Sequence, residues 1–137
     1  MSRHVAGSDF HKQRTFSPAV LTEGGRIVWL AGAIGLRDEA GNDLTGNFGE
    51  QVDAVFREMD RQLKAIGGQL GDLATMTVYV VDAADVPRLV ESRRKFFPNG
   101  RYPASTLIAG CSFALPGILV EIQGTAVIGD KLSDDGA

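Results

Sequence analysis

The sequence predicts an α+β domain in which a mixed β-sheet is covered on one face by two helices. Three observations lead there. Val52, Val55, Phe56, Met59, Leu63 and Ile66 recur at steps of three and four over a charged opposite face, the pattern of an amphipathic helix. A shorter helical stretch follows the capping candidates Asp82 and Asp85, with Pro87 tolerated in its first turn. Runs rich in β-branched residues precede, separate and follow these two helices, which suits helices packed on one side of a sheet.

Taken in order, residues 1–13 are polar and mixed and read as a loosely held, flexible N-terminal arm. Residues 15–22 and 26–33 are β-type runs, and Glu23-Gly24-Gly25 between them is a hairpin signal because glycine tolerates a positive φ. The run 27–31 is apolar on both faces, so a strand covered on both sides is expected, with Trp29 in the core. Gly32, Gly35 and residues 38–47 form a long turn region. The long helix starts near Phe48 and is stopped by Gly67-Gly68. A strand follows over 76–81, then the second helix to about residue 97, stopped by Pro98-Asn99-Gly100. Two more strands, 105–111 and 118–128, complete the order β-β-α-β-α-β-β, and 129–137 is a polar tail. The single domain therefore spans 14–128.

The last strand separates its faces. Val120, Ile122, Ala126 and Ile128 alternate onto one face, which should meet the helices; Leu119, Glu121, Gln123 and Thr125 share the other. A face that is polar but barely charged suits a subunit interface or a cleft better than open solvent.

Composition narrows the function classes. The chain has 137 residues, 44% of them apolar and 23% charged, enough for a buried core without staples. Its net charge is -3 and it has no basic run, so no nucleic-acid partner is expected. No apolar run approaches the roughly 20 residues of a membrane helix, and residues 1–14 lack a signal-peptide core, so no membrane partner and a cytoplasmic location are expected. The lone Cys111 fits a reducing compartment. The histidines, His4 and His11, lie in the arm, and nothing has metal-ligand spacing. Glycine-rich dinucleotide and phosphate-loop motifs and a serine nucleophile elbow are missing too, so neither metal nor cofactor is expected and the partner is a small-molecule ligand.

Glu121 is the leading candidate for chemistry. A carboxylate between Val120 and Ile122 in the most apolar quarter of the chain is either paired or turned toward a polar cleft, where it could move protons. A plain solvent or interface hydrogen bond is the alternative. Arg93 follows Leu89 by four positions on the stripe that should be buried. It either pairs with a carboxylate, holds a ligand anion, or snorkels at the helix edge. Cys111 reads as a small apolar residue in a strand, and Phe96 and Phe97 as core.

Six segments, in order, resemble the RidA (YjgF/UK114) family: Arg14-Thr15-Phe16-Ser17-Pro18-Ala19-Val20, Leu30-Ala31-Gly32-Ala33-Ile34, Gln51 through Gly67 with Gly71-Asp72-Leu73, Tyr79-Val80-Val81-Asp82, Arg101-Tyr102-Pro103-Ala104-Ser105-Thr106, and Leu119-Val120-Glu121-Ile122. The resemblance implies a chorismate-mutase-like fold, a homotrimer whose sheets form a central barrel, and ligand clefts between subunits. It also implies cofactor-free hydrolysis of reactive enamines and imines to ketoacids and ammonia; relatives named endoribonucleases find no support in this charge pattern. Glu121 aligns with the family's water-positioning glutamate. At the other expected site positions this chain departs: Ser105 stands where the cleft arginine belongs, Leu107 where a cysteine belongs, Phe16 for a tyrosine and Val90 for an asparagine. An arginine there would grip a substrate carboxylate, so this is an arginine-lacking branch. Either Arg93 reaches in from the helix to replace the charge, or the substrate carries none. The expected ligand-orienting groups are Ser105 and Thr106, Phe16, Arg93, and backbone near Gly32 and Ala109. A non-catalytic member that binds a small metabolite in the same cleft is the rival reading.

Overall fold

The long amphipathic stretch folds as α2, Phe48–Lys64, with the Asn47 side chain accepting a hydrogen bond from the Glu50 amide as its N-cap. The structure, a computed structural model, describes residues 3–132. The remaining elements are α1 (Asp9–Arg14), β1 (Arg26–Trp29), β2 (Leu73–Val80), α3 (Val86–Phe96), β3 (Ala104–Ile108) and β4 (Val120–Ile128). The described strands make one mixed sheet in the order β1-β4-β2-β3. β4 runs antiparallel to both neighbours, while β2 and β3 are parallel across the α3 crossover.

Alternation then decides what each face carries. Val78 pairs with Ile122 and Val80 with Val120, and all four are fully buried under the helices. Val52, Val55, Phe56, Met59 and Leu63 of α2 and Leu89 of α3 fill the same layer. The opposite face bears Glu121, Gln123 and Thr125 of β4 beside Tyr79, Thr77 and Thr75 of β2, and no described element covers it. The expected assignment of the last strand's two faces is what the structure has.

Several expectations fail for physical reasons. Trp29, expected in the core, is 75% exposed, because β1 is an edge strand whose open face has no second layer. Residues 15–22 form no strand; they make only isolated bridges, Ser17 with Ala104 and Val20 with His4. The Gly24-Gly25 turn therefore joins no hairpin, and β1 pairs instead with the distant β4. The expected loose arm is fastened: α1 forms, and buried Arg3 pairs with Asp130 at 3.3 Å while donating to the carbonyls of Gly71 and Asp72. No described helix is long and apolar enough to cross a membrane.

Polar ties join the helices. Asp53 on α2 is buried and accepts from Ser92 Oγ at 2.8 Å and Lys95 Nζ at 2.9 Å, with Arg88 at 3.2 Å. Burial alone would push its carboxyl up, but the Lys95 and Ser92 hydrogen bonds and the Arg88 charge outweigh that and hold its pKa below the usual 3.8. A group depressed on folding contributes stability above its unfolded pKa, and the contribution disappears as pH falls through the lower folded value. Asp53→Asn is accordingly expected to lower unfolding free energy by about 1–3 kcal/mol at pH 7. The difference from the wild type should shrink below pH 3.8, as urea titrations at the two pH values would show. An equal deficit at both would rule out the ionic account.

Candidate functional site

Glu121 lies mid-strand on β4, across from Tyr79, with its side chain on the open face of the sheet. It is half-buried, and its carboxylate has no hydrogen bond or ion pair with any other described residue. Carboxylates next to protein walls are normally paired, so one left open to a cavity is available to a ligand or water. Gly32 makes the room: a Cβ there would stand 2.8 Å from Glu121 Oε2, so any side chain would make the carboxylate swing aside. The loop bearing Gly32 is held in place by Ala33, whose amide and carbonyl exchange hydrogen bonds with Ile122. Glu121 opens into a cavity of about 480 Å³ lined also by Gly32, Tyr79, Cys111, Ser112 and Gln123, and no described lining residue is a cation.

Cys111 does not stand in a strand. β3 ends at Ile108, and the Cys111 amide bonds to the Val80 carbonyl, which brings the half-buried thiol into the Glu121 cavity. Sequence reasoning also missed Gln51. Fully buried on α2, it donates Nε2 to the carbonyls of Leu44 and Gly117 and accepts from the Leu119 amide at 2.9 Å. It sets the path of the chain into β4, two residues before Glu121. A glutamine on an otherwise apolar helix stripe was the signal.

The second constellation surrounds Arg93. This side chain does not snorkel: it is 3% exposed, and burial pulls its pKa down to about 10, below the usual arginine value, against an opposing effect of Tyr102. Nη1 donates to Ser105 Oγ at 2.7 Å, Nη2 to the Arg14 carbonyl at 2.8 Å and Nε to Thr15 Oγ1 at 3.3 Å. The Phe16 ring lies 6.0 Å from the guanidinium. Thr15 itself takes φ 59°, a left-handed conformation that a β-branched residue rarely adopts. It is completely buried and its hydroxyl bonds to the Arg14 and Val90 carbonyls. The guanidinium has no carboxylate partner among the described residues.

The two constellations do not meet in one copy of the chain. Ser105 pairs with Met76 and shares the helix-covered face, whereas Thr106, beside Thr77 and Gln123, shares the open face with Glu121. Gly32, Glu121 and Thr106 are thus gathered on one side, Arg93, Ser105 and Phe16 on the other. Ala109 is exposed just beyond β3 and lines no described cavity with Glu121. Within one copy, Glu121 and Ser105 therefore lie on opposite faces of the sheet. The described residues hold no cluster of His, Cys, Asp and Glu suited to a metal.

Comparison with known proteins agrees with this picture. The chain is 28% identical over 115 residues to human 2-iminobutanoate/2-iminopropanoate deaminase, covering 83% of this chain and 80% of that one. It is 31% identical over 72 residues to the chloroplastic Reactive Intermediate Deaminase A of Arabidopsis thaliana, covering 53% of this chain and 38% of that longer protein. A Rid-family protein of unknown function from Yersinia pestis has the same fold, with a TM-score of 0.80 over 93% of this chain and 98% of its own at 22% identity. With the model of the family described as Endoribonuclease L-PSP matching residues 7–128, the chain belongs to that family, which is also known as the YjgF or RidA family.

Proposed function

We propose that the protein hydrolyses a small imine or enamine to a carbonyl compound and ammonia, in clefts between the subunits of a homotrimer. The carrying observation is the Glu121 carboxylate, unpartnered among the described residues and open to a cavity beside Gly32. In this reading Glu121 takes a proton from water as its oxygen bonds to the C=N carbon. The C=N π pair moves to nitrogen, which takes that proton back from Glu121 to give the carbinolamine; the hydroxyl proton then passes to nitrogen by way of Glu121 as the C–N bond breaks, leaving C=O and ammonia. No metal or redox step is required by that balance. Support comes also from relatives named as 2-iminobutanoate/2-iminopropanoate deaminases. The subunit arrangement is supported by the uncovered sheet face and by Glu121 and Ser105 pointing to opposite sides of one copy.

The test is release of ammonia from imines generated in situ, with a chemical trap competing for them. Faster appearance of the carbonyl product with enzyme, suppressed by the trap, supports the reading. Saturable ligand binding with no turnover of any imine would favour the rival, a binding protein, for which Ser105, Leu107, Phe16 and Val90 at the four departed site positions speak. Cleavage of RNA has less support, since a net charge of -3 disfavours a phosphate backbone.

A further inference from the structure

We propose that the cavity between the N-terminal arm, the end of α3 and the turn before β3 binds a small phosphate monoester. Its volume is about 620 Å³, within the range of small-ligand pockets. It shares no lining residue with the Glu121 cavity, so this inference stands apart from the imine reading. The arm is tied down where it forms the wall. Ser17 Oγ donates to the Tyr102 carbonyl at 2.6 Å, the Ser17 amide to the Pro103 carbonyl at 3.1 Å, and the Val5 amide to the Ala19 carbonyl at 3.1 Å. Ser17 and Tyr102 are both buried and both line the cavity, so the fold itself builds it.

Three observations point to a phosphate. First, the lining carries one sign of charge. Lys12 of α1, Arg94 of α3 and Arg101 after the Pro98–Gly100 turn border the cavity, and no described acidic residue does. That is a local excess of cations in a chain whose net charge is -3. Walls of one sign concentrate the opposite sign. Second, donors are to spare. The Lys12 ammonium has no partner among the described residues. Arg94 reaches the Glu91 carboxylate and the Gln13 carbonyl only at 3.4 Å each, so it is weakly engaged. The Ser8 amide donates to His11 Nδ1 at 3.2 Å. In the neutral ring the proton therefore sits on Nε2, a donor with no partner among the described residues. Third, the cations arrive from separate elements. A phosphate ester offers three acceptor oxygens and close to two negative charges, which suits donors converging from several directions better than a planar, singly charged carboxylate. The chain's overall negative charge disfavours a polyanion, so a small monoester is the class.

Inorganic phosphate is the probe, titrated into the full-length protein by calorimetry at constant ionic strength, which holds general screening fixed. One site per chain should saturate at millimolar phosphate or below, and acetate should bind at least about ten-fold more weakly. Lys12→Gln and Arg94→Gln should each weaken phosphate binding at least about three-fold, and together at least about ten-fold, the range for exposed charge-assisted contacts. Lys64→Gln removes the same charge from outside the cavity and should leave binding unchanged. The ring-proton resonances of His11 should shift with added phosphate along the same isotherm. Should the double variant fail to fold, the two single variants decide. No saturation at millimolar phosphate, equal affinity for acetate, wild-type affinity in Lys12→Gln and Arg94→Gln, or a loss in Lys64→Gln matching theirs overturns the proposal. Because binding needs no turnover, silence in the ammonia assay with phosphate binding intact defeats only the hydrolytic reading. Turnover without phosphate binding defeats only this one.

Discussion

Replacing Glu121 by glutamine should reduce imine turnover by on the order of a hundred-fold or more while leaving the protein folded. The amide keeps the size of the side chain and one acceptor oxygen but cannot take a proton from water, and a positioned general base contributes about 10²–10⁴-fold. Stability should change little because of where the side chain sits. Val120 and Ile122, its neighbours, remain buried on the helix side, and no described residue loses a hydrogen bond when the carboxylate is neutralised. Surface-facing substitutions of that kind stay within about 0.5 kcal/mol. Ammonia release and the thermal midpoint, read on the same preparation, check both halves. Turnover at the wild-type rate would remove Glu121 from the chemistry.

Phe56→Ala is expected to have the largest effect on stability, a loss of about 3–5 kcal/mol in urea unfolding. The ring is fully buried in the centre of α2 and meets both aromatic residues at the end of α3, with centroids 5.3 Å from Phe96 and 5.6 Å from Phe97. Truncation removes its apolar contacts and both edge or tilted ring pairs, and leaves a void between helix and sheet that a close-packed interior fills only in part. Domains of this size have total stabilities of about 5–15 kcal/mol, so the variant should be largely unfolded at moderate urea. A loss under about 1 kcal/mol would mean that α3 collapses onto the gap.

The contrast between these residues shows what a linear chain discloses. Phe56 was legible because helical periodicity is local: its neighbours three and four residues away define the buried stripe. The two faces of β4 were legible for the same reason, period two replacing period three and a half. Pairing is not local. Residues 15–22 carry strand-like side chains yet pair only at single bridges, and β1 finds its partner about a hundred residues away. Trp29 was misassigned because an apolar run cannot say whether a second layer covers it. Among the site residues, Glu121 stood out as a charge in an apolar strand, and Arg93 as a charge on an apolar helix stripe. That Arg93 would end on Ser105, and Cys111 beside Glu121, depends on the α3 crossover and on where β3 stops, which only the folded chain reveals.

The exposed indole on the edge strand has a practical consequence. Trp29 is the sole tryptophan in the chain, so all intrinsic tryptophan emission originates from the uncovered side of the sheet. Its wavelength and its susceptibility to a water-soluble quencher therefore follow the wetness of that side directly, without a dye or a label. A lone subunit in water emits red and is quenched freely; a side sealed by a neighbour emits bluer and is shielded. Diluting the protein while watching one spectral line would thus show whether a neighbour seals that side, at concentrations far below those at which mass or scattering can be read.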